Sequence, residues 1–361
     1  MKENIGAVHI ERKDVKLDAK DWKILFTLAQ NARAGLSTLS KNSSLSTDGV
    51  RYRILRLKKQ GVLLQRTAIL NPFALGYQWH LCFIQLEHAS DEKIQKILEF
   101  LAIHPYTIWA SATLGSWDIS IQIFARHQAH LEETLTEIKN ICSPSLRDIL
   151  IIPVLSVLNY HNLPPAMARQ QGFIPQFTQK DGSFEPLFSK EPAIDKGEAV
   201  KVDEIDIHIL SVLVQDAAQP LASIARSAGV TIDTVKHHIK SLIKKHIILS
   251  FNPIINVSFI GVRGHVIFIK RNHAQGDASA MEAYFKETIS YPMRTLGTWD
   301  YVVFIAARDD AELYQMLRTL RNTFGKYITN FSTLNIIHDV KWSFLPEGMR
   351  KDLLFSAKEL W

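Results

Sequence analysis

Apolar residues recur with helical spacing in three short segments near the start of the chain. The first stripe is formed by Ile24, Leu25 and Leu28, and two acidic residues, Asp18 and Asp21, stand at its beginning. Carboxylates are favoured there because a helix begins with unpaired amides and with the positive end of its dipole. The pattern therefore predicts a helix that starts at Asp18.

Two further helices are predicted before residue 61. A short one is anchored by Leu36. The next begins at Ser46, a favourable N-cap, and buries Val50, Ile54 and Leu57 on one face at the i, i+4, i+7 spacing. The apolar, β-rich run that follows from residue 61 is typical of a wing. Three helices and a wing indicate a winged helix-turn-helix unit.

Residues 73–158 carry a different pattern, in which strand-like runs alternate with two helix-like stripes. The predicted strands cover residues 79–86, 107–114, 119–125 and 146–158. Their order with the helices, β-α-β-β-α-β, predicts a four-stranded antiparallel sheet with both helices on one face. The other face needs a cover, which pairing with a second such domain would supply.

Both patterns return farther along the chain. A shift of 185 residues places Asp18 on Asp203 and continues through the third helix without a gap. A shift of 182 places the hairpin at residues 115–118 on the hairpin at residues 297–300. The chain is therefore a tandem duplication. The predicted fold class is α+β, with two copies of a winged helix-turn-helix domain, each followed by a ferredoxin-like βαββαβ domain.

The duplication divides the chain into seven predicted segments. A proline-rich stretch separates the copies, and its four phenylalanines predict that part of it packs against a domain. The segments are an N-terminal arm (1–16), the first winged helix-turn-helix (17–72), the first sheet domain (73–158), the linker (159–200), the second winged helix-turn-helix (201–257), the second sheet domain (258–346) and a C-terminal tail (347–361).

The composition narrows the possible classes of function. Of the 361 residues, 47% are hydrophobic and 22% are charged, which is typical of a chain that builds ordinary cores. The net charge of +6 and the pI of about 9.1 favour an anionic partner without identifying it. Cys82 and Cys142 are the only cysteines, too few for a thiolate metal site or a disulfide framework. Since the sequence shows no signal peptide and no membrane-spanning run, a cytoplasmic protein is expected.

Basic residues concentrate on the third helix of each copy, against a single acid, Asp48 or Asp233. The set comprises Arg51, Tyr52, Arg53, Arg56, Lys58 and Lys59 in copy one, and Lys236, His237, His238, Lys240, Lys244 and Lys245 in copy two. A solvated helix face would explain one such set. Its presence at the same place in both copies favours DNA binding, because this helix enters the major groove in helix-turn-helix proteins.

The sequence resembles the Lrp/AsnC (feast/famine) family of transcription regulators over nearly all the chain outside the arm and linker. The matching motifs are Leu17-Asp18-x-x-Asp21, Ser46-x-x-x-Val50-x-x-Arg53-Ile54-x-x-Leu57-x-x-x-Gly61-Val62, Leu75-Gly76-Tyr77 and Gly115-x-Trp117-Asp118. The resemblance implies a sequence-specific DNA-binding regulator whose sheet domains, called RAM domains, pair face to face and in many members bind an amino acid. It also implies a pseudo-dimer and homo-oligomers through these domains, and leaves open whether the copies pair within or between chains.

We expect the exposed face of each third helix to approach double-stranded DNA. The expected contact residues are Ser46, Thr47, Arg51, Tyr52 and Arg56 in copy one, and Thr231, Thr234, Lys236, His237 and Lys240 in copy two. Arg53 is expected instead to brace its helix to the domain. Copy two has His238 at the position of Arg53 and His246 at that of Gly61, so its DNA contacts follow less directly from the resemblance. No thiolate or clear acidic ligand is spaced to join these histidines, and neither a metal nor a cofactor is expected.

If an effector binds, the resemblance points to the two Gly-x-Trp-Asp hairpins. The candidate residues are Gly115, Trp117 and Asp118 in copy one, and Gly297, Trp299 and Asp300 in copy two. A structural interpretation stays open beside this one: the glycine turns the hairpin, the tryptophan packs and the aspartate caps the turn.

The competing interpretation is a siroheme decarboxylase, because the sequence also resembles those enzymes, in which a winged helix is followed by an Lrp-like sheet domain. Residues 66–71 and 75–77 suit either family. The second helix lacks the Phe-Pro-Leu and Arg-Pro-Tyr elements associated with those enzymes, and the Gly-x-Trp-Asp hairpins favour the regulators. No Gly-x-Ser-x-Gly, P-loop or paired-histidine metal motif occurs. A regulator, not an enzyme, is therefore expected.

Overall fold

The computed structural model describes residues 15–160, 163 and 199–358 of the chain. Helix α1 begins after Asp18, whose carboxylate accepts the Asp21 amide while the Asp21 carboxylate accepts the Asp18 amide. Ser46 caps the third helix by accepting the Gly49 amide. The three predicted helices are confirmed as α1 (Ala19–Gln30), α2 (Leu36–Ser43) and α3 (Thr47–Lys59).

The second copy builds the same unit with the same devices. Asp203 and Asp206 form the reciprocal cap of its first helix. The turn before the third helix is left-handed in both copies, with φ of 55° at Ser44 and 67° at Gly229. Serine adopts this conformation at a cost of about 1 kcal/mol, which glycine avoids because it has no Cβ. The helices are α6 (Glu204–Gln215), α7 (Leu221–Ala228) and α8 (Ile232–Lys244).

The strand after each third helix differs from the expected wing. Strands β1 (Leu63–Leu70) and β6 (Ile248–Ile255) pair with each other antiparallel, across the two copies. After β1 the chain turns into the next domain and provides no return strand, so its free backbone groups pair with the other copy. At the centre of the ladder Thr67 faces Asn252, its own equivalent under the 185-residue shift. The two winged helix-turn-helix units are therefore related by a local pseudo-twofold axis.

Each first helix also ends on the strand of the opposite copy. The Ala32 amide donates to the Phe251 carbonyl at 2.9 Å, and the Ala217 amide donates to the Arg66 carbonyl at 2.7 Å. The two bonds are equivalent under the same shift, which extends the pseudo-twofold symmetry from the strands to the helices. The two winged helix-turn-helix units are thus held together by backbone bonds as well as by apolar packing.

The βαββαβ order is confirmed in both copies. The strands of each sheet lie in the order 3-4-2-5 and 8-9-7-10. Copy one contains β2 (Gln78–Leu86), α4 (Asp91–Ile103), β3 (Thr107–Leu114), β4 (Ile119–Ala125), α5 (Gln128–Cys142) and β5 (Leu146–Val157). Copy two contains β7 (Arg263–Arg271), α9 (Ser279–Thr288), β8 (Tyr291–Thr295), β9 (Tyr301–Ala307), α10 (Asp310–Phe324) and β10 (Ile328–Trp342).

The two sheets cover each other within one chain. Strand β3 pairs with β10 and β5 pairs with β8, so that the eight strands close into a barrel. Phe83 and Phe268, again equivalents, meet inside it with ring centroids 4.7 Å apart. The helices pack on the outer faces over separate apolar clusters. The expected cover for the second sheet face is therefore supplied by the other copy of the same chain.

The segment at residues 347–358, predicted to belong to a tail, forms helix α11 (Glu347–Lys358). Met349, Leu353 and Ala357 are buried at the spacing of one helix face. Gly348 lies so close to copy one that a Cβ there would stand 2.6 Å from the Tyr106 ring. Since α11 also packs on α6, it connects the first sheet domain to the second winged helix-turn-helix unit.

Most of the predicted linker, including Phe173, Phe177, Phe184 and Phe188, lies outside the described residues. Cys82 and Cys142 are buried free thiols. Among the described helices, none combines the length and the apolar character that a membrane span requires.

Candidate nucleic-acid interface

The outward face of α3 exposes four of the five residues that copy one was expected to use for DNA contact. Val50, Ile54 and Leu57 are buried beneath it. Tyr52 remains 66% exposed, and the Arg51 side chain is 62% exposed with only the Asp48 carboxylate near it, at 3.4 Å. An exposed pair of this kind contributes little to stability, so Arg51 is available to a phosphate or a base edge. Ser46 and Thr47 are exposed at the N-terminal end of the same helix.

Arg53 and Arg56 point toward α1, where Asp21 is fully buried. The Arg53 guanidinium donates to Asp18 at 2.7 Å and to Asp21 at 2.8 Å, which places this arginine as the expected brace. Arg56 donates to the second oxygen of Asp21 at 2.5 Å. Arg56, predicted to contact DNA, is thus also held by a buried carboxylate. Its contact with DNA stays a prediction, now beside a structural role.

The brace affects the ionisation of the cap residue. Partial burial alone would raise the pKa of Asp18, but the Arg53 guanidinium and the amides of Asp21 and Lys20 stabilise its carboxylate. Together they hold the pKa of Asp18 at about 2. The Asp18 carboxylate therefore stays charged at neutral pH and keeps its hydrogen bonds with Arg53.

Helix α8 presents a different set of side chains on the same scaffold. Thr231 caps the helix by accepting the Thr234 amide at 3.1 Å. Lys236, His237 and Lys240 are exposed. Lys236 lies 3.1 Å from the Asp233 carboxylate, as Arg51 lies near Asp48. The exposed faces of α3 and α8 thus both begin with a hydroxyl cap and an acid, and they differ in the residues that follow.

In both copies, the residues of the predicted effector hairpins have structural roles within their own sheet domain. Gly115 and Gly297 have φ of 140° and 110°, values that favour glycine. The carboxylate of Asp118 accepts the Leu86 amide, and that of Asp300 accepts the Arg271 amide, each at 2.7 Å. Each aspartate therefore caps the end of a neighbouring strand and not its own turn.

The tryptophans of the two hairpins are linked through the barrel interior. Trp117 stands 6.5 Å from Phe83, Phe83 stands 4.7 Å from Phe268, and Phe268 stands 5.6 Å from Trp299, measured between ring centroids. Four rings thus run from one hairpin to the other across the pseudo-twofold axis. This arrangement supports the packing role of the tryptophans and gives a physical connection between the two candidate effector sites.

A cavity of about 340 Å³ lies at the other end of the first sheet, and sequence reasoning missed it. His104, Tyr106, Arg126, His127 and His130 are among its lining residues. His127 and His130 cap α5 with their imidazoles, just as Asp309 and Glu312 cap α10. Comparing the two copies position by position would have revealed this substitution.

Helix α11 contributes Asp352 to a polar cluster beside that cavity. The Asp352 carboxylate accepts the hydroxyls of Tyr77 at 2.9 Å and Tyr106 at 3.1 Å, and lies 3.4 Å from Arg126. Burial and the neighbouring carboxylate raise the pKa of Tyr106 to about 12, so its hydroxyl remains a donor. The apolar i, i+4, i+8 spacing of Met349, Leu353 and Ala357 was the signal in the sequence for this helix.

Comparison with known proteins agrees with this geometry. The family described as winged helix-turn-helix DNA-binding matches residues 17–63 and 202–248, one match in each copy. The HTH-type transcriptional regulator FL11 of Pyrococcus horikoshii is 32% identical over 127 residues, 35% of this chain and 83% of that protein. The leucine-responsive regulatory protein of Rhizobium meliloti is 30% identical over 124 residues, 34% of this chain and 80% of that protein. The chain belongs to the Lrp/AsnC family of transcriptional regulators.

Each of these relatives matches about a third of this Lrp/AsnC-type regulator, so the chain has room for two regions of that length. Its whole architecture also resembles a solved structure, the siroheme decarboxylase NirDL. That structure has 12% sequence identity and a TM-score of 0.57, and the match covers 94% of this chain and 99% of the other. At such an identity the likeness concerns the fold alone.

Proposed function

We propose that this Lrp/AsnC-type regulator binds an operator with two unlike half-sites, one contacted by α3 and the other by α8. The observation that carries the proposal is the β1–β6 ladder. It relates two similar scaffolds by a pseudo-twofold axis, while the exposed faces of α3 and α8 differ. Twofold-related helix-turn-helix units contact successive half-sites of an operator. Unlike faces then require unlike half-sites.

Some side chains are proposed to provide affinity by contacting phosphates, and others to provide sequence preference by contacting bases. Arginine and lysine contacts to phosphates provide much of the affinity and make it salt-dependent. Arg51 and Tyr52 in α3, and Lys236, His237 and Lys240 in α8, are the exposed residues that support base or phosphate contact. An arginine matches the two acceptors of a guanine edge, whereas lysine and histidine offer different donor patterns. The two helices are therefore proposed to prefer different bases.

The test is selection of a preferred operator from random DNA, followed by binding measurements with half-site variants. Arg51→Ala should relax the preference in one half-site, and Lys236→Ala in the other, with a loss of about 1–3 kcal/mol for each specific contact. Lys139→Ala, an exposed cation on α5, is the control and should change neither. If Arg51→Ala and Lys236→Ala relax the same half-site, or neither does, the assignment of α3 and α8 is wrong.

An amino acid effector at the hairpins is the second part of the proposal. It is supported by the exposed glycine turns and by the similarity to the leucine-responsive regulatory protein. The ring series from Trp117 to Trp299 would transmit occupancy of one hairpin to the other. Titration of the twenty amino acids should change the melting temperature and the DNA affinity for at least one of them. If none has an effect, the effector part fails and the DNA-binding part stands.

The likeness to NirDL keeps a tetrapyrrole enzyme as the alternative that the same experiments address. The purified chain should show no tetrapyrrole absorption band and should shift the mobility of its own promoter fragment. A band without a shift would replace the regulator by the enzyme. We also propose that the regulator acts in the cytoplasm and forms homo-oligomers. Since the inner sheet faces cover each other, such contacts between chains would use other surfaces.

A further inference from the structure

Three potential metal ligands meet between α6 and α8 in the second copy. The His238 Nδ1 atom lies 2.7 Å from Asp206 Oδ1 and 3.9 Å from Asp203 Oδ1. Within residues 15–160 and 199–358, this is the group of three or more histidine, cysteine and acidic side chains whose ligand atoms all lie within 4.8 Å of one another. The His238 and Asp206 side chains are 17% and 9% exposed, while Asp203 is half exposed to solvent.

The first copy shows what the same two carboxylates do on the same scaffold. There Asp18 and Asp21 are the equivalents of Asp203 and Asp206, and they bind a cation. The cation is the guanidinium of Arg53, at 2.7 and 2.8 Å, with the guanidinium of Arg56 on the second oxygen of Asp21. Two positive charges thus balance two carboxylates in copy one.

The second copy has lost both of these charges. His238 stands at the position of Arg53, and Ser241 stands at the position of Arg56. In the part of the chain that the structure describes, His238 is the ion-pair partner recorded for Asp203 and Asp206. A pair of carboxylates, one of them nearly buried, therefore retains a single imidazole where its equivalent holds two guanidiniums. A nearly buried carboxylate such as that of Asp206 needs a compensating charge.

We propose that Asp203, Asp206 and His238 bind one divalent transition-metal ion of the Zn²⁺ class. Two carboxylate oxygens and one imidazole nitrogen form a ligand set that such ions accept. Its charge of two equals that of the two guanidiniums it replaces. Ligand atoms of a tetrahedral Zn²⁺ site stand roughly 3.4 Å apart, between the two distances that join His238 to the aspartates. Water fills the remaining coordination position on the exposed side of Asp203.

The capping arrangement is compatible with an ion at this place. Asp206 uses Oδ2 to accept the Asp203 amide and leaves Oδ1 facing His238. Asp203 accepts the Asp206 amide through Oδ1, the oxygen that also faces His238, and a carboxylate oxygen has a second lone pair for an ion. The helix dipole opposes a cation at this end of α6, but the two full carboxylate charges outweigh the half charge of the dipole. When the ion binds, the Nδ1 atom of His238 loses any proton it carries.

The ion would connect α6 to α8 in the second unit, as Arg53 connects α1 to α3 in the first unit. Metal binding would then set the position of α8 on α6, and so the half-site contacted by Lys236 and Lys240. This consequence rests on the proposed function, but the metal site does not, because its binding is measured without DNA.

The experiment is titration of the full chain, freed of metal by a chelator, with Zn²⁺ by calorimetry and with Co²⁺ by visible absorption. One ion per chain is expected, with a Co²⁺ spectrum typical of oxygen and nitrogen ligands. His238→Arg restores the copy-one arrangement and should weaken the ion's affinity by roughly 100-fold or more. His246→Gly removes an imidazole that is not part of the group of three and installs the copy-one residue at a left-handed position. It should leave the affinity unchanged.

The reciprocal variant, Arg53→His with Arg56→Ser, gives copy one the ligand set of copy two and should raise the stoichiometry from one ion to two. If that variant does not fold, the comparison of wild type with His238→Arg still decides. Equal Zn²⁺ affinity of those two proteins, or an equal loss in His246→Gly, overturns the proposal. Neither outcome affects the DNA-binding proposal, which depends on operator selection alone.

Discussion

The pairing of the two copies inside one barrel makes a quantitative prediction about their cooperativity. Phe83 and Phe268 are 1% and 2% exposed and meet at the pseudo-twofold axis with ring centroids 4.7 Å apart. Truncating a buried phenylalanine to alanine costs about 3–5 kcal/mol. Of this, the contact between the two rings accounts for about 0.5–1.5 kcal/mol. Phe83→Ala should therefore destabilise both sheet domains, although the substitution lies in the first.

The assay combines guanidinium unfolding with amide hydrogen exchange in β7 and β9, two strands of the second copy. A single unfolding transition is expected, displaced to lower denaturant. Exchange limited by global unfolding should accelerate in these strands by roughly two to nearly four orders of magnitude, since about 1.4 kcal/mol corresponds to tenfold. Copy two thus reports a change made in copy one.

Phe285→Ala provides the matched control, because Phe285 is equally buried but belongs to α9 and packs in the apolar cluster on the outer face of the second sheet, apart from the inter-sheet contact. The double variant Phe83→Ala/Phe268→Ala should be less destabilised than the sum of its single variants, by about the ring-contact energy of 0.5–1.5 kcal/mol. Phe83→Ala/Phe285→Ala should be additive. Two separate unfolding transitions, or unchanged exchange in β7 and β9, would refute the argument that the two sheets unfold together as one barrel.

Three further predictions concern buried polar groups. Burial lowers the pKa of His80 from 6.5 to about 4, so the unfolded chain binds the proton first and stability should fall by up to about 3 kcal/mol between those pH values. His80→Leu should remove that share of the loss in unfolding curves recorded at several pH values. Asp352→Ala should leave the Tyr106 hydroxyl without its acceptor and cost about 1–3 kcal/mol, seen as faster hydrogen exchange in α11. Arg53→Ala leaves Asp21 with Arg56 alone and should cost about 3 kcal/mol in denaturant unfolding, a value near zero being evidence against the brace.

The regular elements followed from local patterns, which is why they were predictable. Capping pairs such as Asp18 with Asp21 act over three residues, and strand alternation acts over two. The strands at residues 107–114 and 119–125 are found at the predicted bounds. The role of Arg53 was also accessible, because its position beside Ile54 turns it toward the domain.

The pairing of strands between copies was not accessible in the same way. A strand such as β1 presents free backbone groups whether its partner lies in its own copy or in the other, and no local pattern separates the two. The double role of Arg56 depends on the distance to Asp21, which only the packing of α3 on α1 sets. Helix α11 carries a visible apolar stripe, but its surface of contact belongs to two domains that the sequence does not place side by side.

The seams of the barrel explain why unlike copies pair. At one seam Asp339 of β10 stands opposite Ser111 of β3 and accepts the indole of buried Trp109 at 3.0 Å. At the other seam the equivalent pair is Val157 with Met293. If two first copies from different chains paired, Trp109 would face a valine, and its unpaired indole would cost about 1–3 kcal/mol. We infer that this seam favours the pairing of copy one with copy two. Asp339→Val should remove the preference, so that in sedimentation experiments at rising concentration the variant forms oligomers larger than those of wild type. A variant with the same distribution of oligomers as wild type would contradict this account of the pairing between unlike copies.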